Sequence, residues 1–404
     1  MEIDLKINEE NLSSYIPRGQ NVLQKIFKDY FEEFKEQYEN RYAKYYGKYR
    51  LERIEKVVEE FLKCGDYKEG VARVRCENPE CGHDYFVPLS CLCFYLCPSC
   101  HQKRTLLFGE QLAEVVLLSL PHRQFVFTLP KCLRVYFKHN RLLFSDISHL
   151  VINIIQEYYN EVTKKDIQTG IILAYQTAGT FIWWNAHWHG IVMEGGFDKA
   201  GNFVYLPITS TTKMTEVFRR RVIKLFVDKK LITDSFARGL LCWKHSGFSI
   251  DNSVKIPKDD KKTIEALAQY IARCPRTHGR AVNRRFTTRL MALENIEYKA
   301  ATKEVVIKAG KYKTYFKEGF KVLNVLDFIA LLTQHIPPKN KQYVRRYGLY
   351  ASRTRGIWEH SPFIVRLTPN GWKERNRKEK NGTELSAGGG TPNKKRQNST
   401  WAWS

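Results

Sequence analysis

No stretch of the sequence approaches the roughly 20 consecutive apolar residues that a membrane-spanning helix needs. The opening Met1-Glu2-Ile3-Asp4-Leu5 also lacks the basic-then-apolar layout of a secretory signal. Both absences predict a cytosolic protein with no membrane partner. Acidic residues are scarce beside basic ones: Asp and Glu number 42 against 66 Lys and Arg, a formal charge of +24. An excess of that size predicts a polyanionic partner, which in the cytosol is nucleic acid. No internal repeat is found, which excludes a solenoid. With 404 residues there is length for two or three domains and a sizeable core, so disulfides are not needed for stability.

Cysteine, by contrast, is present and clustered. Seven of the ten cysteines fall between Cys64 and Cys100, a load that in a reducing compartment suggests metal rather than cross-links. Four residues separate Cys76 from Cys81, and two separate Cys97 from Cys100. Two such pairs are what a closed tetrahedral site needs, each short loop presenting two thiolates. The expected structural Zn²⁺ ligands are therefore Cys76, Cys81, Cys97 and Cys100, with Cys91, Cys93, His83 and His101 as nearby alternatives. A saturated zinc leaves no open position for chemistry, so its expected role is to hold a small zinc-ribbon-like module.

Apolar residues at spacings of three and four predict helices over 21–42, 51–62, 106–120, 146–163, 212–226 and 263–272. Short β-prone runs at 125–129, 170–175 and 181–193 predict an antiparallel sheet, and the order of elements an α+β fold. The predicted divisions are a helical region 1–63, a zinc-binding module 64–105, a catalytic domain 106–300, a basic DNA-binding extension of that domain 301–371, and a disordered basic tail 372–404.

The last β-prone run contains His187-Trp188-His189. Residues i and i+2 of a strand share a face, so the two imidazoles project in parallel and can hold one cation. Gln176, near the end of the preceding run, can approach them across an antiparallel hairpin through Ala178-Gly179. Two nitrogens and one neutral oxygen suit Mg²⁺ or Mn²⁺, with water and phosphate oxygens completing the shell.

These residues carry a resemblance. His-Trp-His is similar to the histidine-hydrophobic-histidine motif of the HUH endonucleases, and its surroundings resemble the rolling-circle transposases of the insertion-sequence-91 and common-region type. The resemblance runs through Phe61-Leu62-Lys63-Cys64-Gly65, Cys97-Pro98-Ser99-Cys100, Phe127-Thr128-Leu129-Pro130, Gln176-Thr177-Ala178-Gly179, His245-Ser246-Gly247-Phe248-Ser249 and Tyr347-Gly348-Leu349-Tyr350. It implies an antiparallel-sheet HUH nuclease domain whose nucleophile falls on Tyr270, in Leu267-Ala268-Gln269-Tyr270-Ile271. It further implies cutting and rejoining of single-stranded DNA at element ends through a 5′-phosphotyrosine, in the bacterial cytoplasm at the nucleoid. A free phenol has a pKa near about 10, so the attacking tyrosine needs activation by the cation or a base.

Some members carry a second tyrosine four residues after the first; here Cys274 stands there, which is the single-tyrosine pattern. Two strand exchanges then call for one Tyr270 used in turn or for a homodimer. No cysteine follows Cys274, so no second cysteine pair of the kind other members end with is expected. Candidate phosphate contacts are Arg219, Arg220 and Arg221, then Arg284 and Arg285, then Arg345, Arg346 and Arg353. A plasmid-type replication initiator or relaxase would share this chemistry, and a zinc-dependent DNA-binding protein would lack it. The cysteine block ahead of the histidines favours the transposase.

Overall fold

The computed structural model describes residues 20–47, 50–78, 80–93, 95–179, 182–272, 293–308 and 319–375. The first helices follow the predicted periodicity. Helix α1 (Val22–Gln37) starts at Asn21, whose side chain accepts from the backbone of Leu23 and Gln24 while Gln24 reaches back, a reciprocal cap. A π-helical turn over Tyr38–Tyr42 extends it, and α2 spans Leu51–Leu62. Their apolar faces meet through Phe27, Phe34 and Phe61, all buried. A hairpin of β1 (Val71–Arg75) and β2 (Asp84–Pro88) follows. Helix α3 (Pro98–Gln111) begins eight residues before the predicted start, because Pro98 sits at its first position, where the missing N–H is harmless.

The centre of the molecule is an antiparallel sheet. It contains β3 (His122–Thr128), β4 (Gly170–Ala178) and β5 (Trp184–Met193), with a short helix α4 (Lys131–Arg134) and the long α5 (Leu143–Thr163) between β3 and β4. After α6 (Thr212–Asp228) and α7 (Asp234–Cys242) comes β6 (Ser249–Asp251), then α8 (Lys261–Ile271). The late elements are β7 (Ile296–Lys299), β8 (Glu304–Lys308), β9 (Phe320–Asn324), α9 (Val325–Thr333) and β10 (Val344–Gly348). Strand order is β10–β4–β5–β3–β6, with Lys255–Ile256 pairing the other end of β3. No helix among the described residues is long and apolar enough to cross a membrane. The mixed helix and antiparallel-sheet architecture is the α+β class read from the sequence.

Strand alternation sorts the core onto two faces. Phe125, Phe127, Leu173, Ala186 and Trp188 face α5 and α6, whereas Ile172, Ala174, Ile191 and Met193 face α3 and α8. His187 and His189 belong to the second face by the same parity.

The predicted divisions need two corrections. Region 301–371 is not a single extension: β8 and α9 share a core with α1 and α2, while β10 is an edge strand of the central sheet. Arg41 and Tyr42 both reach the Asp327 carboxylate, at 3.1 and 2.8 Å, binding the first helical region to α9. Trp372, assigned to the polar tail by composition, is buried, and its indole N–H donates to the Val115 carbonyl at 3.0 Å. The rest of the predicted tail, from 376, lies outside the described residues.

His122 gives the fold a pH dependence. It is 1% exposed; its Nδ1–H donates to Leu120 O at 2.8 Å, and its Nε2 accepts from the Tyr350 hydroxyl at 2.6 Å. Burial pushes its pKa down to about 4, below the roughly 6.5 of an unfolded chain. Above the unfolded value neither state is protonated. Between the two values the unfolded state takes up a proton that the native state refuses, so stability falls as pH drops through that window, by about 3 kcal/mol from this group. The urea midpoint of His122→Gln should therefore change less between about pH 7 and about pH 4.5 than that of the parent; equal changes would show that His122 does not titrate as described.

Candidate active site and metal centre

The two histidines are almost wholly enclosed, 9% and 2% exposed, with ring centroids 4.9 Å apart. Burial is the main cause that lowers both pKa values, His187 to about 4 and His189 well below the usual imidazole range. Both are thus neutral near pH 7, as a metal ligand must be. His187 Nδ1 lies 2.8 Å from the Asn185 carbonyl, which can only accept; the proton is on Nδ1, and Nε2 carries the lone pair. His189 Nδ1 lies 3.3 Å from the Gln124 amide, and His189 Nε2 is buried with no hydrogen-bond partner. A buried nitrogen left in that state is costly unless something binds it.

Tyr270 closes the site from above. Helix α8 is started by Asp260, which accepts from Thr263 N at 3.0 Å, and it buries Ile264, Leu267, Ala268 and Ile271 against the sheet. Tyr270, at the edge of that apolar face, sets its ring 5.0 Å from His189, edge to face at 84°. Gln176 pairs in register with His187 on the neighbouring strand. Its amide nitrogen donates to Tyr270 O at 3.1 Å and Ile271 O at 3.2 Å, satisfying carbonyls that the helix end leaves open. Sequence spacing expected Gln176 beside the histidines as a ligand; its hold on α8 was not foreseen, because it depends on tertiary packing.

Helix α3 supports α8 from the other side at Gly109. A Cβ there would lie 3.2 Å from Glu265 O and 3.4 Å from Gln269 Cγ. Gly109→Leu should displace α8, destabilising the protein by about 1–3 kcal/mol and slowing any reaction at Tyr270. Thermal melting and a strand-cutting assay on the same sample test this, and unchanged values in both would reject the close approach.

The thiols group differently from the predicted set. Cys64, Cys91, Cys97 and Cys100 have their Sγ atoms within 4.8 Å of one another. Separations are 3.4 Å for Cys64–Cys97, 3.7 Å for Cys64–Cys100 and 3.6 Å for Cys91–Cys100. A tetrahedral zinc with bonds of about 2.3 Å would set sulfurs about 3.8 Å apart, so the donor set fits. Cys76 and Cys81, expected as ligands, are exposed at the tip of the β1–β2 hairpin. Five paired residues, about 16 Å of strand, separate that tip from the hairpin base near the cluster. The overlooked signal was Cys64-Gly65, whose glycine adopts φ +82 and lets the chain turn sharply behind the thiol.

The arginine expectations fare unevenly. Arg219 donates to Leu240 O and Leu241 O at the end of α7, Arg220 pairs with Glu216 at 2.7 Å, and Arg221 makes a two-point contact with Glu157. Arg219 and Arg221 thus tie α6 to α7 and α5, whereas Arg220 pairs within its own helix and keeps its side chain exposed. Arg346 donates to Gln111 at 2.8 Å, and Arg345 lies 3.4 Å from the Ser145 hydroxyl. Arg353 is exposed, while Arg284, Arg285 and Cys274 lie outside the described residues.

Comparison with known proteins connects these features. Residues 26–129 match the family model described as transposase zinc-binding domain, and residues 170–356 match the model described as putative transposase. The two take in most of the chain without overlapping. It belongs to the insertion-sequence-91 family of transposases. The transposase is 26% identical over 321 residues to the transposase for insertion sequence element IS801 of Pseudomonas savastanoi pv. phaseolicola, covering 74% of this chain and 71% of that protein. No solved structure matches it. DNA is accordingly the partner of this transposase, as its charge predicted, and all four clustered thiols fall inside the zinc-binding match.

Proposed function

We propose that the transposase cuts and rejoins single-stranded DNA at the ends of its element, with Tyr270 as nucleophile in an HUH-type site. The observation that carries this reading is the placement of the Tyr270 ring 5.0 Å from His189, whose Nε2 is buried and unpartnered. His187 and His189 would hold a divalent cation, the unpartnered Nε2 of His189 being available to it, with the Gln176 amide oxygen as the third protein donor. When bound, Mg²⁺ or Mn²⁺ withdraws charge from the scissile phosphate and stabilises the charge that develops there. With its amide oxygen rather than its nitrogen toward His189 Nδ1, Gln124 would accept from Nδ1–H and fix the tautomer that leaves the Nε2 lone pair free for the cation.

Tyr270 gives up its phenolic proton as its oxygen attacks phosphorus. The 3′-oxygen leaves and is protonated, and the 5′-phosphate remains esterified to the tyrosine. A phosphodiester replaces a phosphodiester, so a 3′-hydroxyl from another strand can reverse the step without ATP. Cys64, Cys91, Cys97 and Cys100 hold a structural zinc that fixes the start of α3. The test is incubation of the full chain with 3′-labelled oligonucleotides from the element ends and Mn²⁺ or Mg²⁺. A denaturant-resistant adduct mapping to Tyr270 is expected; no adduct on any terminal sequence removes the proposal.

A further inference from the structure

No acidic residue occurs between Glu114 and Asp146, although that stretch contains Arg123, Lys131, Arg134, Lys138 and Arg141. The structure places one of these cations at the histidine end of the sheet. Strand β3 ends at Thr128, directly opposite His187, and the chain turns through Leu129-Pro130 into α4. Arg134 folds back over the turn, its Nε donating to Leu129 O at 2.7 Å. Its own carbonyl accepts from the Trp184 indole at 2.7 Å, three residues ahead of His187. Held from both sides, the guanidinium is close enough for its charge to help keep His187 neutral.

Arg134 is half-buried, and among the described residues neither terminal nitrogen has a hydrogen-bond or carboxylate partner. Burial disfavours its charge, yet no acid offsets it. Lys138, one turn further on, is in the same condition: half-buried, 5.1 Å from the Tyr46 ring centroid and 5.9 Å from that of Trp184, with no carboxylate partner. Trp183, the residue before Trp184, is 51% exposed, and the Lys321 ammonium lies 3.7 Å over its ring. Cations partly desolvated without counter-charge, set among aromatic rings, are the arrangement by which proteins grip single-stranded nucleic acid.

We propose that Arg134 is a phosphate-binding residue of the DNA site, its two terminal NH₂ groups taking the non-bridging oxygens of a backbone phosphate beside the one that is cut, with Lys138 taking a phosphate further along the same strand. The adjacency to the cut rests on the His187–His189–Tyr270 reading; the phosphate contact does not. Planar two-point donation is what a guanidinium offers and an ammonium does not.

The test uses the full chain carrying Tyr270→Phe, so that no covalent product forms, titrated with labelled oligo(dT) over a range of KCl. Each phosphate contact adds about 0.7 to the slope of log affinity against log salt for single strands. Arg134→Ala should reduce the slope by about 0.7, and Arg134→Lys should restore it, with thermal midpoints confirming that both variants fold. An unchanged slope in a folded Arg134→Ala protein overturns the proposal. In a second arm, one methylphosphonate is walked along a terminal oligonucleotide. The Arg134 protein should lose about tenfold in affinity at one linkage, and Arg134→Ala should be indifferent there. Equal sensitivity of both proteins at every linkage would assign Arg134 to the fold alone. Failure of the nucleophile reading registers separately, as absence of an adduct with unsubstituted Tyr270, and leaves the slope untouched.

Discussion

Tyr270→Phe should eliminate the covalent protein–DNA adduct while leaving affinity for single-stranded DNA within about twofold. Phenylalanine keeps the ring that lies against His189 at 5.0 Å, and the main-chain carbonyl that Gln176 holds at 3.1 Å is unaffected. Only the phenolic oxygen is lost. Removal of a covalent nucleophile lowers turnover by about 10⁴-fold or more in enzymes where it has been dissected, and the residue reflects binding and charge stabilisation rather than attack. His189→Ala should lower adduct formation comparably by another route, since in the proposed site the imidazole would hold the cation and would not bond to DNA. The two are told apart by Mn²⁺ affinity, which Tyr270→Phe preserves and His189→Ala weakens. Adduct at parental levels in Tyr270→Phe would transfer the nucleophile to another residue, and unchanged Mn²⁺ affinity in His189→Ala would reject the histidine site.

The second large effect concerns the thiols. Cys97→Ser or Cys100→Ser should lose the bound zinc and, with it, cooperative folding of the N-terminal half, whereas Cys76→Ser with Cys81→Ser should keep about one equivalent of zinc and a normal melt. Apparent binding of structural zinc contributes about 10–16 kcal/mol in small zinc modules, so losing one of four thiolates removes a large share. The cluster lies against the shared core, with Cys97 buried beside Leu96 and α2. Metal analysis and thermal unfolding decide it. Zinc lost from the hairpin-tip variant and retained by Cys97→Ser would return the site to Cys76 and Cys81.

Local signals in the sequence carried far. Periodicity gave α1, α2, α5, α6 and α8 nearly to their ends, since each buries one stripe of apolar residues. Strand parity alone put His187 and His189 on one face, and the sheet bears that out. What depended on distant packing was not legible. Spacing put Cys76 and Cys81 into a metal site, but hairpin register sends them outward. Arg219, Arg220 and Arg221 look like a cationic strip until α7 and α5 supply partners for the first and the last. Composition consigned Trp372 to a tail, because a single indole in a polar run gives no hint of the pocket below Val115. Tyr270 was found through resemblance; one tyrosine among 22 has no distinguishing pattern of its own.

The pairing of early with late elements has a consequence for synthesis. Helices α1 and α2 leave the ribosome first, yet part of their core is α9, encoded some three hundred codons later. At about 5–20 residues per second, their apolar faces wait roughly 15–60 s for that partner. Strand β4 likewise lacks its outer neighbour until β10 is made. A nascent chain therefore carries both histidines and Tyr270 well before the scaffold around them is complete. Messages cut short before about codon 350 should yield fragments that are degraded or aggregate rather than free nicking enzymes, so the proposed DNA cutting would be confined to chains that have completed β10.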